Sequence, residues 1–167
     1  MNRRVFALSA IVAAACFAAP ADSKPDFSGD WKLNVDKSNF GPMPGPESST
    51  RKIVHKDPEV AVTTTQTGGP QGDMTTDVKF TTDGKEVTNV IKTPNGDIEI
   101  KTTGTWDGKD IKTNNKLNIQ GMDITSEERM ALSDDGKVLT NTQKITTPQG
   151  DFEVSLVFEK LAAAKTQ

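Results

Sequence analysis

TTDGKEVTNVIKTPNGDIEIKTTGTWDGKD, Thr81 to Asp110, carries three turn dipeptides, Asp83-Gly84, Asn95-Gly96 and Asp107-Gly108, separated by runs in which apolar and polar side chains alternate. Asp-Gly and Asn-Gly tolerate the positive φ of tight hairpin turns, and strict alternation puts one face of a strand inward and the other outward. The punctuation continues with Gln120-Gly121, Asp135-Gly136 and Gln149-Gly150, at intervals of 12 to 15 residues. That spacing belongs to consecutive antiparallel hairpins. It predicts strands near 30–35, 50–56, 59–67, 74–82, 85–93, 97–106, 109–119, 122–132, 137–147 and 151–160. Between the first two, Asn39-Phe40-Gly41-Pro42-Met43-Pro44-Gly45-Pro46 is too rich in proline for a strand and reads as a loop.

A meander of this length exposes two long edges unless the sheet closes on itself, and tight hairpins favour up-and-down closure over a Greek-key sandwich. The expected fold is all-β: an up-and-down antiparallel meander closing into a single barrel of about ten strands.

Outside that barrel, Met1 to Ala21 reads as a signal peptide, with Arg3 and Arg4, an apolar run from Val5 to Phe17, and Ala19-Pro20-Ala21 before the cleavage point. The apolar run is too short to span a membrane as a helix. Cys16 is the weaker alternative, as a lipid anchor. Removing 21 of 167 residues leaves 146 and takes away the single cysteine, so an exported domain, periplasmic or secreted, would hold without disulfides. The expected domain covers 22–160, with a flexible tail at 161–167. A net charge of −3 with scattered lysines gives no footprint for nucleic acid.

Gly29-Asp30-Trp31, at the start of the first strand, resembles the Gly-x-Trp signature of the calycin barrels, the lipocalins and their relatives. There the tryptophan plugs one end of the barrel. The longer pattern Phe27-Ser28-Gly29-Asp30-Trp31-Lys32-Leu33-Asn34, followed by Lys37-Ser38-Asn39-Phe40, resembles more closely a group of uncharacterised exported bacterial proteins described as lipocalin-like. The resemblance implies a barrel and brings no activity with it. Gly29, Trp31 and Trp106 are therefore expected to be structural, the tryptophans as end plugs.

Registers follow if each turn dipeptide is the two-residue loop of its hairpin, except that Ser133 to Gly136 is taken as a four-residue loop. They pair Val78 with Asn89, Asn89 with Thr102, Thr102 with Thr113, Thr113 with Glu128, Glu128 with Asn141, and Asn141 with Phe158. These residues share a face with apolar neighbours such as Ile98, Ile100, Ile124 and Met130, so the inward face carries a polar belt. Asn115, Ser126 and Gln143 form the next row. The belt either satisfies itself by hydrogen bonds and bulges, or lines a partly wet cavity that orients a small-molecule ligand. The ligand-binding candidates are Glu128, Asn115, Asn141, Thr113, Thr102, Asn89 and Gln143. A carboxylate at Glu128 needs donors around it, and Arg129 points the other way.

Other chemistries find little to work with. His55 is the single histidine, with no second imidazole or cysteine to complete a metal site, and no nucleophile-elbow or phosphate-loop pattern occurs. Glu127-Glu128 face opposite ways on one strand, and Asp134-Asp135 sit in a turn, so neither makes a glycosidase pair. The expectation is a non-enzymatic binding barrel without metal or cofactor. A filled barrel serving as an envelope-surface or protein-interaction module, in contact through Phe40 and Met43, is the alternative.

Overall fold

The computed structural model describes residues 23–69, 72–93, 96–119 and 121–162. The expected signal peptide, Cys16, Asn95, Gln120 and the tail beyond 162 lie outside the described residues. Ten antiparallel strands run in sequence: β1 Gly29–Leu33, β2 Ser48–Lys56, β3 Glu59–Thr67, β4 Met74–Thr81, β5 Asp83–Thr93, β6 Gly96–Asp107, β7 Asp110–Ile119, β8 Met122–Leu132, β9 Val138–Thr147 and β10 Gly150–Lys160. Among the described residues the only helical element is one 3₁₀ turn, Val35–Lys37. The strands form one sheet in the order β4-β3-β2-β1-β10-β9-β8-β7-β6-β5. The β1–β10 ladder joins the first strand to the last and wraps the sheet into a nearly closed barrel.

The seam lies between β4 and β5, which share a tight connection but no ladder. Asn89 spans it. Its Oδ1 accepts from the Lys79 amide at 2.8 Å, and its Nδ2 donates to the Lys79 carbonyl at 2.9 Å. One side-chain amide thus does what a strand partner would do, satisfying a backbone donor and acceptor at an open edge.

Four of the inferred ladders are displaced by two residues. Asn89 faces Ile100, Thr102 faces Asn115, Glu128 faces Gln143, and Asn141 faces Leu156, while the inferred Val78–Asn89 pair falls at the seam, where no ladder forms. The cause is turn placement. Asp107 pairs with Asp110, which moves the two-residue loop on to Gly108-Lys109, and Thr147 pairs with Gly150 instead of flanking it. Gly108 accordingly carries a φ of 62°, open to glycine at no steric cost. The Thr113–Glu128 pair stands as read. A shift of two preserves which face each side chain takes, so the belt still points inward.

The core fills one end of the barrel. Phe27, Trp31, Ile53, Phe80, Ile111, Met130, Leu139 and Phe158 are buried there together. Trp31 Nε1 donates to the Phe27 carbonyl at 3.2 Å, and the Lys160 ammonium lies 5.0 Å from the centre of its ring system. Gly29 makes room for this cap. A Cβ at position 29, where φ is +146°, would stand 2.7 Å from Lys160 Cε. The glycine two residues before the tryptophan therefore leaves space for the lysine that covers it.

Gly104 has a related task at the seam. A Cβ there would meet the Thr81 carbonyl oxygen at 2.6 Å and Phe80 Cδ2 at 2.7 Å, so the end of β4 crosses β6 only over a glycine. Gly104→Ala is expected to cost about 1–3 kcal/mol in chemical denaturation, the range for forcing extra volume into packed structure. A cost under about 0.5 kcal/mol, typical of surface changes, would show that β4 does not close over β6 in this way.

Candidate ligand-binding site

Beyond the apolar end the barrel is hollow. An inner chamber of about 270 Å³ is lined by Thr102, Thr113, Asn115, Ser126, Glu128 and Gln143, with Val62, Val78, Ile100 and Met130 as its apolar walls. Five of the seven sequence-derived candidates thus meet in one cavity. The side chains also bond to one another: Thr102 Oγ1 donates to Asn115 Oδ1 at 2.8 Å, and Asn115 Nδ2 donates to Ser126 Oγ at 3.2 Å. The polar row satisfies itself in part and lines a cavity as well.

The other two candidates lie elsewhere. Asn89 belongs to the seam, where its amide is spent on Lys79. Its inferred pairing with Thr102 fails because Thr93 pairs with Gly96 at the turn, which sets Ile100 opposite Asn89. Asn141 is fully buried, set among the core side chains opposite Met130. Its Nδ2 donates to Glu128 Oε1 at 2.5 Å, so it holds the cavity carboxylate from behind.

The residue that sequence reading missed is Arg51. It comes from β2, where the inward face runs Ser49, Arg51, Ile53 and the outward face includes an exposed Val54. The guanidinium is nine-tenths buried and lines both the inner chamber and a second one. Its Nη1 stands 4.0 Å from Glu128 Oε1, an ionic contact too long for a hydrogen bond. Its Cζ lies 4.5 Å from the Phe158 ring centre, and its Nε is buried without a partner among the described residues. Burial lowers the Arg51 pKa, and the Glu128 charge offsets part of that effect. The cation remains charged, as arginine does in proteins. The signal was available, since Arg51 has the same parity as Ile53.

The outer chamber, about 330 Å³, is more apolar. Leu33, Leu156, Val154 and Phe158 form its barrel side, and Phe40, Met43, Pro44 and Pro46 of the proline-rich loop form its outer wall. Arg51, Thr64 and Gln143 border both chambers. Phe40 is fixed by a close approach, because a Cβ on Gly45 would fall 2.5 Å from its ring. In the loop read as a contact surface for partners, Phe40 and Pro46 are half-buried against the chamber, while Met43 and Pro44 line it and remain exposed.

The opposite end is tied shut. Trp106 closes β6, with Nε1 donating to Asp57 Oδ1 at 2.8 Å and its ring 6.0 Å from Phe27. Thr82 Oγ1 donates to the same Asp57 oxygen at 2.6 Å, and these two bonds hold the Asp57 pKa below its usual value. His55 packs 5.6 Å from Trp106 and accepts the Phe27 amide on Nδ1 at 3.3 Å. These contacts give His55 a structural place. Among the described residues no group of three or more His, Cys, Asp or Glu is placed to hold a metal, and no helix is long and apolar enough to cross a membrane.

No protein-family model and no curated protein matches the sequence. The fold does have solved counterparts. Secretory abundant heat soluble protein 4 from Ramazzottius varieornatus superposes with a TM-score of 0.54 at 17% identity, over 86% of this chain and 100% of that one. Zebrafish ileal bile acid-binding protein, solved with cholic acid, gives a TM-score of 0.50 at 18% identity, over 81% of this chain and 98% of that one. The chain has the fold of these small barrels. At such identities the likeness is one of architecture.

Proposed function

We propose that this protein is an exported carrier that binds one small, partly apolar molecule inside the barrel, with a polar group of the ligand on the Arg51–Glu128 pair and its apolar part in the outer chamber. On this reading Met1 to Ala21 is a leader removed on export to the periplasm or beyond, 22–160 is the binding domain, and 161–167 is a flexible end. The resemblance of the Phe27–Phe40 pattern to exported lipocalin-like proteins supports the compartment. The fold shared with a bile acid-binding protein supports the class.

The observation that carries the proposal is Arg51. A guanidinium this deeply buried needs acceptors for its donors, because unmet buried polar groups are costly. Glu128 is too far to supply a good hydrogen bond, while a cavity opens on either side. A ligand oxygen placed there completes the set. Concave sites with apolar walls and a few convergent polar groups bind small molecules in this manner.

Native mass spectrometry of the protein purified from its exported form tests the proposal. The wild type is expected to carry a bound small molecule. Glu128→Gln should keep the fold, at a cost of about 1–2 kcal/mol for removing half of a partly exposed ion pair, and lower ligand affinity by about tenfold. Glu127→Gln, on the outer face of the same strand, should do neither. If the two glutamine variants behave alike, the Glu128 carboxylate has no part in binding.

A further inference from the structure

Resting on the proposed carrier function, we infer that the cavity selects a neutral amphiphile, with a hydroxyl or amide head group, over one ending in a carboxylate. The inner chamber contains one cation, Arg51, and one anion, Glu128, and every other polar group that lines it is a neutral Thr, Asn, Ser or Gln. The outer chamber adds no further charge beyond Arg51 itself. The site is therefore electrically balanced before any ligand enters.

An ionised carboxylate placed against Arg51 would also stand beside Glu128, which is 4.0 Å from the same guanidinium. Two like charges around one cation in a poorly solvated space repel, and one of them has to take up a proton or stay out. Glu128 is not free to swing away, because Asn141 Nδ2 holds its Oε1 from the core side. A hydroxyl or primary amide avoids the conflict. Its oxygen accepts from Arg51, its proton is donated to the carboxylate or to a neighbouring acceptor, and the charge count is unchanged. The Thr102–Asn115–Ser126 chain offers further neutral partners on the facing wall.

Isothermal titration calorimetry with decanol, decanamide and decanoate, in mildly alkaline buffer where decanoate is ionised, tests the inference on the wild-type protein stripped of bound lipid. Decanol and decanamide are expected to bind at least about tenfold more tightly than decanoate. In Glu128→Gln the order should reverse, since Arg51 is then an uncompensated cation. Wild-type binding of decanoate as tight as that of decanol overturns the inference while leaving the carrier function in place. Binding of none of the three removes the binding cavity itself, and the inference with it. Should Glu128→Gln fail to fold, the wild-type ranking decides.

Discussion

Trp31→Ala is expected to lower stability by about 3–5 kcal/mol, the range for emptying a large aromatic core site. Trp31 has no exposed surface and packs among Phe27, Ile53 and Phe158 at the closed end. Its indole nitrogen is bonded to the Phe27 carbonyl, and Lys160 lies over its ring. Truncation opens a cavity, strands a buried carbonyl and removes the cation–π contact in one step. Small domains are stable by only about 5–15 kcal/mol, so the denaturation midpoint should fall steeply. The β1–β10 ladder should loosen with it, because Trp31 is paired directly with Lys160. A loss below about 1 kcal/mol would mean that the tryptophan does not organise this end of the barrel.

Arg51→Met should have the second largest effect, on stability and binding together. Removing the cation leaves Glu128 inside the barrel with Asn141 as its hydrogen-bond donor. Breaking a fully buried pair from one side costs about 3–5 kcal/mol, and the partial exposure of Glu128, 17% of its side chain, reduces the expectation to about 2–3 kcal/mol. The double variant Arg51→Met with Glu128→Gln should recover at least about 1 kcal/mol of that loss, since the stranded charge is gone. It should not recover binding. Decanol affinity is expected to fall by about tenfold or more in both variants, as calorimetry would show. Full recovery of binding in the double variant would assign the site to its apolar walls alone.

Much of the architecture was legible because glycine-containing turns and period-two alternation are local signals. All ten strands fall where alternation and the turn dipeptides together place them, with boundaries within a few residues, although Asp83-Gly84 opens β5 and does not form the loop before it. Which residue of a hairpin turn occupies the loop is a finer matter. Asp107-Gly108 and Gly108-Lys109 are both acceptable turn centres, and the choice between them depends on packing across the sheet. Ambiguities of this kind displaced four ladders by two residues without moving any belt residue to the wrong face.

What stayed hidden depends on contacts between distant strands. Asn89 has the right parity for the cavity, but the seam beside β5 leaves Lys79 backbone groups in need of a partner, and the amide meets that need. Asn141 has the right parity as well, yet lies toward the apolar end, where Leu139 and Met130 cover it. Arg51 is separated from Glu128 by nearly half of the chain and meets it only after the barrel wraps. In β2 the exposed Val54 and the inward Arg51 invert the usual rule of apolar inside and polar outside. Buried polar groups of this kind mark places where folding gives way to function.

The central claim is that a ligand sits inside the barrel against Arg51 and the polar belt. Nuclear magnetic resonance titration of the isotope-labelled protein with decanol tests it most directly, by mapping which amides and side chains shift. The account predicts perturbations concentrated at Arg51, Thr64, Thr102, Asn115, Ser126 and Gln143, with Glu127 and the seam residue Asn89 little affected. Shifts confined to the outer surface, or no saturable shifts at all, would contradict it.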